Sequence, residues 1–480
     1  MNIFKEEDTR IMIRVSDSHV NKNSSFPIAF NNAKCGDRTL RFAEIQPLPQ
    51  RTSLALRACF LLNWGRGFFD PSFFMNIAKT LKSYDPQNIT IASLGGHSAL
   101  DVCHGAKKYG FKTIVIAQKG REKTYTKYFK TREEGTLGCV DDVILVDQFS
   151  DILKPAIQKE LRKRNAIFIH NRYFWVYFKD FAKIEKEFDV PIYGNRVLVK
   201  LEERDQPLNQ YHLLEKAGIR TPRMIRKGEE NLDEKKLRKR LDEHFVAQKG
   251  GPLLVKVNEA IRGYERAFFV ITSTAAYFDF GAKMIALGKI TRKDLDRSVI
   301  EEFVLGAPVN FNYFYSNLNG ELELMGTDTR RQTSLDGFLR LDAETQRTLI
   351  KGGYKPSMIE TVHIACTTKE SLLEKVFEAG EKFIATLKKE IKGGMIGPFA
   401  LQGAIAAEEG REVLVVFDVS MRIPGSPGTR FTPITGYLYG ETMSYGERIA
   451  LELRQAVEED KLGEILTGPN LFMNKKGTVH

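Results

Sequence analysis

The sequence predicts a protein of mixed helix and strand content, in which a parallel α/β lobe precedes a larger α+β region. Short apolar strands alternate with helices between residues 88 and 195, which is typical of a parallel sheet covered on both faces. Longer strands and hairpins follow, up to residue 467. The 480 residues, of which 42% are hydrophobic, are enough for a large buried core.

Composition and charge narrow the classes of protein. No apolar run approaches the roughly 18 residues that cross a bilayer, and residues 1–14 lack the apolar stretch of a signal peptide. We therefore expect a cytoplasmic protein with no membrane partner. The net charge of +11 allows a nucleic-acid partner, but the basic residues are spread along the chain and fit anionic small molecules about as well, so charge alone does not decide between them. We expect small-molecule substrates and no nucleic acid. The five cysteines form no C-x-x-C pair, so neither a disulfide framework nor a zinc site is expected.

Residues 1–74 differ from the rest of the chain. They contain four prolines and no sustained helical or strand period, whereas a compact amphipathic helix begins at Met75. One hypothesis is that Met75 is the true start of the protein and that residues 1–74 come from a gene model extended too far at its 5′ end. The alternative is an N-terminal extension specific to the organism.

The predicted lobe spans residues 75–197. Its elements are a strand at 89–94, a helix at 99–109, strands at 111–117 and 142–146, a helix at 152–164 and a strand at 166–169. The turn after the first strand is Gly95-Gly96-His97-Ser98. Backbone N–H groups at a helix start favour an anion, and His97 could donate a hydrogen bond to the same ligand. The alternative is a plain turn in which Ser98 caps the helix.

The second region spans residues 198–467 and is followed by a flexible tail at 468–480. Predicted helices cover 206–217, 370–390 and 447–458, and predicted strands cover 253–257, 267–272, 300–304, 309–315, 322–325, 399–407 and 412–420. Within it, Lys256 ends an apolar strand, where a buried ammonium group needs an anion such as a nucleotide phosphate. The alternative is an edge strand on which Lys256 faces water.

The hairpin at 399–420 is the most informative segment. Its short turn around Glu409-Gly410-Arg411 places Ala407 near Val413 and Gln402 opposite Asp418. An amide and a carboxylate side by side in an apolar sheet suit a hard cation such as Mg²⁺. The alternative is an ion pair between Asp418 and a nearby arginine such as Arg422.

Other motifs add less. Glu301 and Glu302 could cap an adenine pocket, and His170 and Arg172 follow a strand at the edge of the first sheet, where ligands bind. The absence of Walker A, G-x-S-x-G and H-E-x-x-H motifs lowers the odds of those three enzyme classes.

Taken together, these segments resemble an ATP-grasp ligase, whose fold is here preceded by a Rossmann-like parallel α/β N-terminal lobe. More narrowly, residues 75–467 resemble the archaeal formate-dependent FAICAR synthetase family of purine biosynthesis. The motifs that carry this resemblance are IASLGGHSAL at 91–100, YGNR at 193–196, IEEFVLG at 300–306, YFYS at 313–316, ELMG at 323–326, KESLL at 369–373 and GMIGPF at 394–399.

The resemblance implies a ligase that uses ATP and formate to convert AICAR, an aminoimidazole carboxamide ribonucleotide, into FAICAR, with release of ADP and phosphate. Formyl phosphate is the implied intermediate. His97 matches a substrate-contacting histidine of the family, and Lys256 matches its ATP-binding strand lysine. Gln402 and Asp418 match its pair of Mg²⁺ (or Mn²⁺) ligands, although the family usually has Glu where this chain has Asp418.

Other positions depart from the family pattern. The loop at 258–266, which would cover the phosphates of ATP, has one glycine, and we expect Arg262 and Arg266 to compensate by their charge. Tyr173 and His363 stand where the family has a substrate-contacting Ser and Asn, and Gln332 replaces a nucleotide-contacting Glu. The alternatives are therefore an ATP-grasp paralogue that joins another carboxylate and amine, or a non-catalytic nucleotide-binding protein. The sequence leaves open whether copies of the chain form a homo-oligomer.

Overall fold

The computed structural model describes residues 30–35, 38–43, 77–78, 80–178, 181–204, 206–257 and 268–469. The chain divides into two compact units, Met1–Phe69 and Asp70–His480. In the first unit, strands β1 (Phe30–Cys35) and β2 (Arg38–Ala43) pair as an antiparallel hairpin, which the sequence analysis did not predict. The hypothetical start at Met75 and residues 470–480 of the predicted tail lie outside the described residues.

The predicted lobe is built on a largely parallel sheet. Its elements in chain order are β3 (Thr90–Leu94), α1 (Ala99–Lys108), β4 (Lys112–Gln118), β5 (Asp142–Val146), α2 (Pro155–Lys163), β6 (Ala166–Ile169), α3 (Tyr173–Val176), α4 (Phe181–Lys186) and β7 (Ile192–Tyr193). Strands β7, β6, β3, β4 and β5 lie in that order and pair in parallel, which confirms the predicted α/β lobe. The predicted helix at 152–164 is instead a 3-10 turn at Phe149–Leu153 followed by α2, because Pro155 takes a first helical position.

A four-stranded antiparallel sheet follows the lobe. The elements of this part are α5 (Gln210–Lys216), β8 (Met224–Arg226), α6 (Glu234–Asp242), β9 (Leu253–Lys256), β10 (Phe268–Ile271), α7 (Thr274–Ala286), α8 (Arg292–Asp296) and β11 (Val299–Glu302). The strand order is β10-β9-β11-β8, so the strand that carries Lys256 lies inside the sheet. The alternative of an edge-strand lysine facing water is therefore wrong.

A five-stranded antiparallel sheet makes up most of the remainder. Its elements and those that follow it are β12 (Gly306–Ser316), β13 (Glu321–Ser334), α9 (Leu335–Phe338), α10 (Ala343–Lys351), β14 (Met358–Cys366), α11 (Leu373–Glu390), β15 (Gly397–Glu408), β16 (Arg411–Ser420), α12 (Ile434–Tyr439), α13 (Tyr445–Glu458), α14 (Leu462–Ile465) and β17 (Leu466–Thr467). The strand order is β14-β13-β12-β15-β16. None of the helices in the described part of the chain is long and apolar enough to cross a membrane.

The β15–β16 hairpin confirms one predicted pairing and corrects another. Its two-residue turn, Glu409-Gly410, has positive φ angles of 50° and 74°, as a type I′ turn requires. Gln402 lies opposite Asp418, as predicted. Because the turn has two residues, Val413 lies opposite Ala406 rather than Ala407, and a register shift between Gln402 and Gly403 then brings Gln402 opposite Asp418. Such a bulge adds a residue to one strand, and a count of residues from the turn does not reveal it.

The end of the chain returns to the first lobe. Strand β17 pairs antiparallel with β7 and so extends the sheet of the lobe. Helix α13 packs closely on α1, where a Cβ atom added to Gly105 would lie 2.1 Å from the backbone of Gly446. Ile91 of the lobe, Phe314 of β12 and Ile449 of α13 belong to one buried cluster. This shared core fixes the position of the lobe relative to the five-stranded sheet.

Candidate functional site

Four polar side chains form one row across the five-stranded sheet. Asp328 on β13 lies opposite Asn310 on β12, Asn310 lies opposite Gln402 on β15, and Gln402 lies opposite Asp418 on β16. Opposed residues on antiparallel strands present their side chains to the same face. With about 4.8 Å between neighbouring strands, the row extends about 14 Å from Asp328 to Asp418. The two ends of the row are therefore separate parts of one site.

At one end, Asp418 has an arginine partner that the sequence analysis missed. Its Oδ1 accepts a hydrogen bond from Arg204 Nη2 at 3.1 Å, and the Arg204 side chain is only 3% exposed. The structure thus pairs Asp418 with Arg204, whereas Arg422, the arginine of the sequence-based alternative, forms an ion pair with Glu202. The charge of Asp418 is partly balanced without a cation.

The same end offers oxygen atoms that fit a divalent cation. Gln402 Nε2 donates a hydrogen bond to Ser420 Oγ at 2.8 Å, which leaves the amide oxygen of Gln402 for another partner. An amide oxygen and the carboxylate of Asp418 are hard ligands that suit Mg²⁺ when water and phosphate oxygens complete its shell. In the described part of the chain, no group of three or more His, Cys, Asp or Glu side chains could hold a metal ion.

Lys256 lies beside this end in a buried cluster. Its Nζ is 2.5 Å from Glu301 Oε1, and it donates hydrogen bonds to Tyr211 Oη at 3.1 Å and to the carbonyl oxygen of Phe417 at 3.2 Å. Burial lowers the pKa of Lys256, while the charge of Glu301 opposes that shift. The anion that a buried lysine needs is Glu301, and the contact with Phe417 places Lys256 next to Asp418.

Glu302 belongs to a different surface. Its carboxylate accepts hydrogen bonds from Arg220 Nη2 and from the backbone N–H of Arg223, both at 3.1 Å. Burial raises the pKa of Glu302, but the hydrogen bonds from Arg223 and Arg220 outweigh burial and leave the pKa below its ordinary value. Glu302 lines a cavity of about 750 Å³ that also includes Tyr211. This volume is within the usual range for a small-molecule pocket.

At the other end of the row, Asp328 is a buried and well-bonded carboxylate. It accepts hydrogen bonds from Asn310 at 3.0 Å, Asn312 at 2.7 Å and Ser426 at 2.9 Å, and His363 Nδ1 lies 3.6 Å away. Burial raises the pKa of Asp328, but the hydrogen bonds from its neighbours more than offset that effect and lower it. Asp328 is therefore ionised at neutral pH and provides a fixed negative charge beside His363.

His97 approaches the Asp328 end from the first lobe. A Cβ atom added to Gly425 would lie 2.4 Å from His97 Nε2, so the imidazole packs directly on the loop after β16. Ser98 Oγ donates a hydrogen bond to the carbonyl oxygen of Pro424 at 3.2 Å. Ser98 occupies the N-cap position of α1, as in the alternative interpretation of this turn, but its side chain makes no cap hydrogen bond to the helix.

Positive charges surround His97. Burial lowers the pKa of His97 well below 6.5, and the charges of Arg422 and Arg172 lower it further. His363 and Arg330, which face each other on β14 and β13, act in the same direction. His97 is therefore neutral at pH 7 and lies in a strongly positive field. Such a field favours an anionic ligand.

Tyr173 closes one side of this pocket. Its ring centroid lies 6.5 Å from that of His97, and a Cβ atom on Gly96 would lie 2.0 Å from Tyr173 Cε2. The structure thus places Tyr173 beside His97 and brings His363 close enough for its charge to act on His97, so the three predicted substrate residues lie in one region, called here the His97 pocket.

Two predicted site residues are not brought to these clusters. Gln332 lies near the end of β13, three strand spacings from β16, and its backbone N–H donates to the carboxylate of Asp336. Arg262 lies outside the described residues, as does the rest of the predicted phosphate-covering loop.

Sequence reasoning missed Arg204, Tyr211, Asp328 and Arg330. For Asp328, the signal was Asn310 and Asn312, which occupy alternate positions of an otherwise apolar strand and so share one face. Two amides on a buried face require polar partners, and Asp328 is that partner.

The amino-acid sequence was compared with protein families and with individual known proteins. Two family models match the chain. The family DUF1246, described as a protein of unknown function, matches residues 91–225, and the family DUF1297, described as a domain of unknown function, matches residues 279–467. The 5-formaminoimidazole-4-carboxamide-1-(beta)-D-ribofuranosyl 5'-monophosphate synthetase of Methanosphaera stadtmanae is 35% identical over 396 residues, which cover 82% of this chain and 98% of that protein. The protein of the same name from Methanocaldococcus jannaschii is 34% identical over 393 residues, with the same two coverages.

A solved structure agrees with these relatives. The crystal structure of an IMP biosynthesis protein PurP from Thermococcus kodakaraensis is similar with a TM-score of 0.53 at 25% identity, and the match covers 78% of this chain and 100% of that chain. The predicted ATP-grasp fold, with its α/β lobe in front, is confirmed. The chain belongs to the family of 5-formaminoimidazole-4-carboxamide-1-(beta)-D-ribofuranosyl 5'-monophosphate synthetases.

Proposed function

We propose that this protein is an ATP- and formate-dependent ligase that converts AICAR into FAICAR in IMP biosynthesis. The observation that carries the proposal is the 35% identity to a synthetase of this name over 98% of that protein's length. The site supports the proposal, because a lysine–carboxylate cluster and a basic pocket lie at opposite ends of one polar row. A nucleotide and a second anionic substrate can then bind with their reacting groups between the two ends.

The proposed reaction has two steps. A formate oxygen attacks the γ-phosphorus of ATP, the bond from that phosphorus to ADP breaks, and formyl phosphate forms. The amine of AICAR then attacks the formyl carbon, the bond from that carbon to phosphate breaks, and the nitrogen loses a proton. In both steps the protein contributes mainly by holding the reactants close together and by stabilising negative charge.

The nucleotide is assigned to the end that carries Asp418. Gln402 and Asp418 would hold Mg²⁺ or Mn²⁺, which when bound neutralises charge on the phosphates. Lys256 would contact an ATP phosphate. Its three ammonium protons already have acceptors, so a phosphate oxygen must replace one of them. The longest of these contacts, to the carbonyl oxygen of Phe417 at 3.2 Å, is the one we expect to be exchanged.

The second substrate is assigned to the pocket around His97, Tyr173 and His363. His97 is neutral there, so it can donate one hydrogen bond and accept another. Tyr173 offers an aromatic face to a planar base.

The test is a substrate-omission assay of the purified chain with ATP and Mg²⁺. ADP release that requires both formate and AICAR, with FAICAR as product, is the expected result. His97→Ala should abolish AICAR-dependent turnover, whereas His104→Ala is the matched control, because His104 is a histidine of α1 whose side chain is 55% exposed. ADP release with a different carboxylate or amine would select the paralogue alternative. Nucleotide binding without turnover would select the non-catalytic one.

A further inference from the structure

Arg330 holds a buried donor that is not used. It lies two residues beyond Asp328 on β13 and directly opposite His363 on β14, so the three side chains share one face of the sheet. Arg330 Nη1 pairs with Glu360 at 2.6 Å. Its Nε–H is buried and has no hydrogen-bond partner within the described ranges. A buried donor on a charged group that has no acceptor costs free energy of folding. We therefore expect a ligand to supply the acceptor for this nitrogen.

A second unsatisfied donor borders the same pocket. The Nε–H of Arg422 is also buried without a partner in the part of the chain that the structure describes, and the residue is 6% exposed. Burial lowers the pKa of Arg422, the charge of its ion-pair partner Glu202 opposes that shift, and the charges of Arg172 and Arg330 lower the pKa further, so these arginines lie near one another. Like charges held together inside a protein repel, and a bound anion removes that repulsion.

The length of the row decides which part of a substrate Arg330 can reach. Three strand spacings, about 14 Å, separate the strand of Arg330 from the strand of Asp418. Arg330 therefore lies at the end of the site that is remote from the γ-phosphate of ATP. In AICAR the reacting amine and the 5'-phosphate stand at opposite ends of the molecule. The anion within reach of Arg330 is then the 5'-phosphate.

We propose that Arg330 and His363 form a binding site for the phosphate monoester of the acceptor substrate. A guanidinium group suits the geometry of phosphate oxygens, and an imidazole next to the fixed charge of Asp328 can donate a second hydrogen bond. This inference rests on the proposed function for the identity of the substrate. It adds the statement that the enzyme distinguishes a ribonucleotide from its nucleoside through these two side chains.

The test compares AICAR with its unphosphorylated nucleoside as substrates of Arg330→Gln, with ATP and formate in excess. Loss of one charge-assisted contact should lower kcat/KM for AICAR by about tenfold to a hundredfold and leave kcat/KM for the nucleoside unchanged. Arg331→Gln is the matched control. Arg331 is the next residue on the same strand, is 44% exposed and pairs with Asp336 at 2.7 Å. It should behave as the wild type.

Three outcomes would overturn the proposal. They are an unchanged preference of Arg330→Gln for AICAR over the nucleoside, an equal loss with both substrates, and a rise in KM for ATP in place of AICAR. Thermal unfolding checks that the variant is folded. If it is not, Arg330→Lys takes its place, with a smaller loss that is again confined to AICAR.

A separate arm distinguishes failure of this inference from failure of the proposed function. If the wild type shows no turnover with AICAR, calorimetric binding of ribose 5-phosphate to the wild type and to Arg330→Gln tests the phosphate site directly. Binding that is weakened at least tenfold in Arg330→Gln but unchanged in Arg331→Gln supports the site. No binding to the wild type, or equal binding to all three proteins, refutes it.

Discussion

Lys256 and Glu301 form a buried ion pair, with Nζ 2.5 Å from Oε1 and both side chains at most 4% exposed. The two residues lie on neighbouring strands but are not opposite each other, because Lys256 is opposite Val299. Glu301 therefore reaches Lys256 diagonally, from two residues further along β11. This diagonal contact links β9 and β11, the two inner strands of the four-stranded sheet.

Glu301→Gln should destabilise the protein strongly. The change leaves a buried ammonium group without its counter-ion, which costs about 3–5 kcal/mol in the free energy of unfolding. Denaturant unfolding measures the loss. The double variant Lys256→Met/Glu301→Gln should recover much of it, because a buried pair replaced as a whole leaves no uncompensated charge. A double variant as unstable as the sum of two single losses would show that the pair is not the source of the effect.

Asp418→Asn should abolish ATP turnover while the chain stays folded. The amide no longer offers a carboxylate to a cation, so a Mg²⁺ titration of ADP release should show no activity at concentrations that saturate the wild type. The change also removes the charged hydrogen-bond acceptor of Arg204, which should lower the free energy of unfolding by about 1–3 kcal/mol. Glu408→Gln, on the same hairpin but paired with Arg220, is the control. A wild-type response to Mg²⁺ in Asp418→Asn would remove Asp418 from the metal site.

Acid should destabilise the fold through His170. Its Nδ1 lies 3.2 Å from the carbonyl oxygen of Tyr193, and burial lowers its pKa from 6.5 to about 3. Below pH 6.5 the unfolded chain therefore binds a proton that the folded chain does not. The free energy of unfolding should fall by about 1.4 kcal/mol for each pH unit between roughly 6 and 3, from this group alone.

The measurement is denaturant unfolding at pH 6.5, 5.5 and 4.5. His170→Asn should reduce the slope against pH by the amount given above, whereas the exposed His104→Asn should reduce it less. Equal slopes for the wild type and His170→Asn would contradict the assignment.

Gly96→Ala should disrupt the pocket by displacing Tyr173. The added methyl group would lie 2.0 Å from Tyr173 Cε2, and the φ angle of 152° at Gly96 is itself unfavourable for alanine. We expect KM for AICAR to rise about tenfold or more, because a shift of about 1 Å in a binding group is enough for such a loss.

Two variants separate the steric effect from backbone strain. Gly96→Ala/Tyr173→Ser removes the clash and should restore part of the AICAR affinity. Gly120→Ala is the control for backbone strain without a steric clash, since Gly120 has a φ of 86° and no atom lies within 4 Å of the added methyl group. If the double variant is no better than Gly96→Ala, the clash with Tyr173 is not the cause.

Features that depend on local pattern could be predicted from the amino-acid sequence. The alternation of strands and helices predicted the parallel lobe, and the strand-to-helix turn placed His97 at the edge of its sheet, because both follow from residues close together in the chain. The pairing of Gln402 with Asp418 was also predicted, but the structure reaches it through a two-residue turn and a register shift between Gln402 and Gly403, neither of which the sequence revealed.

The sequence did not show which groups from distant parts of the chain meet at the site, because these contacts depend on tertiary packing. Arg204 lies 214 residues from its partner Asp418, and Ser426 lies 98 residues from Asp328. Such partners depend on the order of strands in a sheet, on bulges that shift the register, and on how the lobe packs against the sheet. Hydrophobic periodicity records which face of an element is buried, but it does not record what that face is buried against. For that reason the row from Asp328 to Asp418 and the arginines around His97 could be found only once the sheet was assembled.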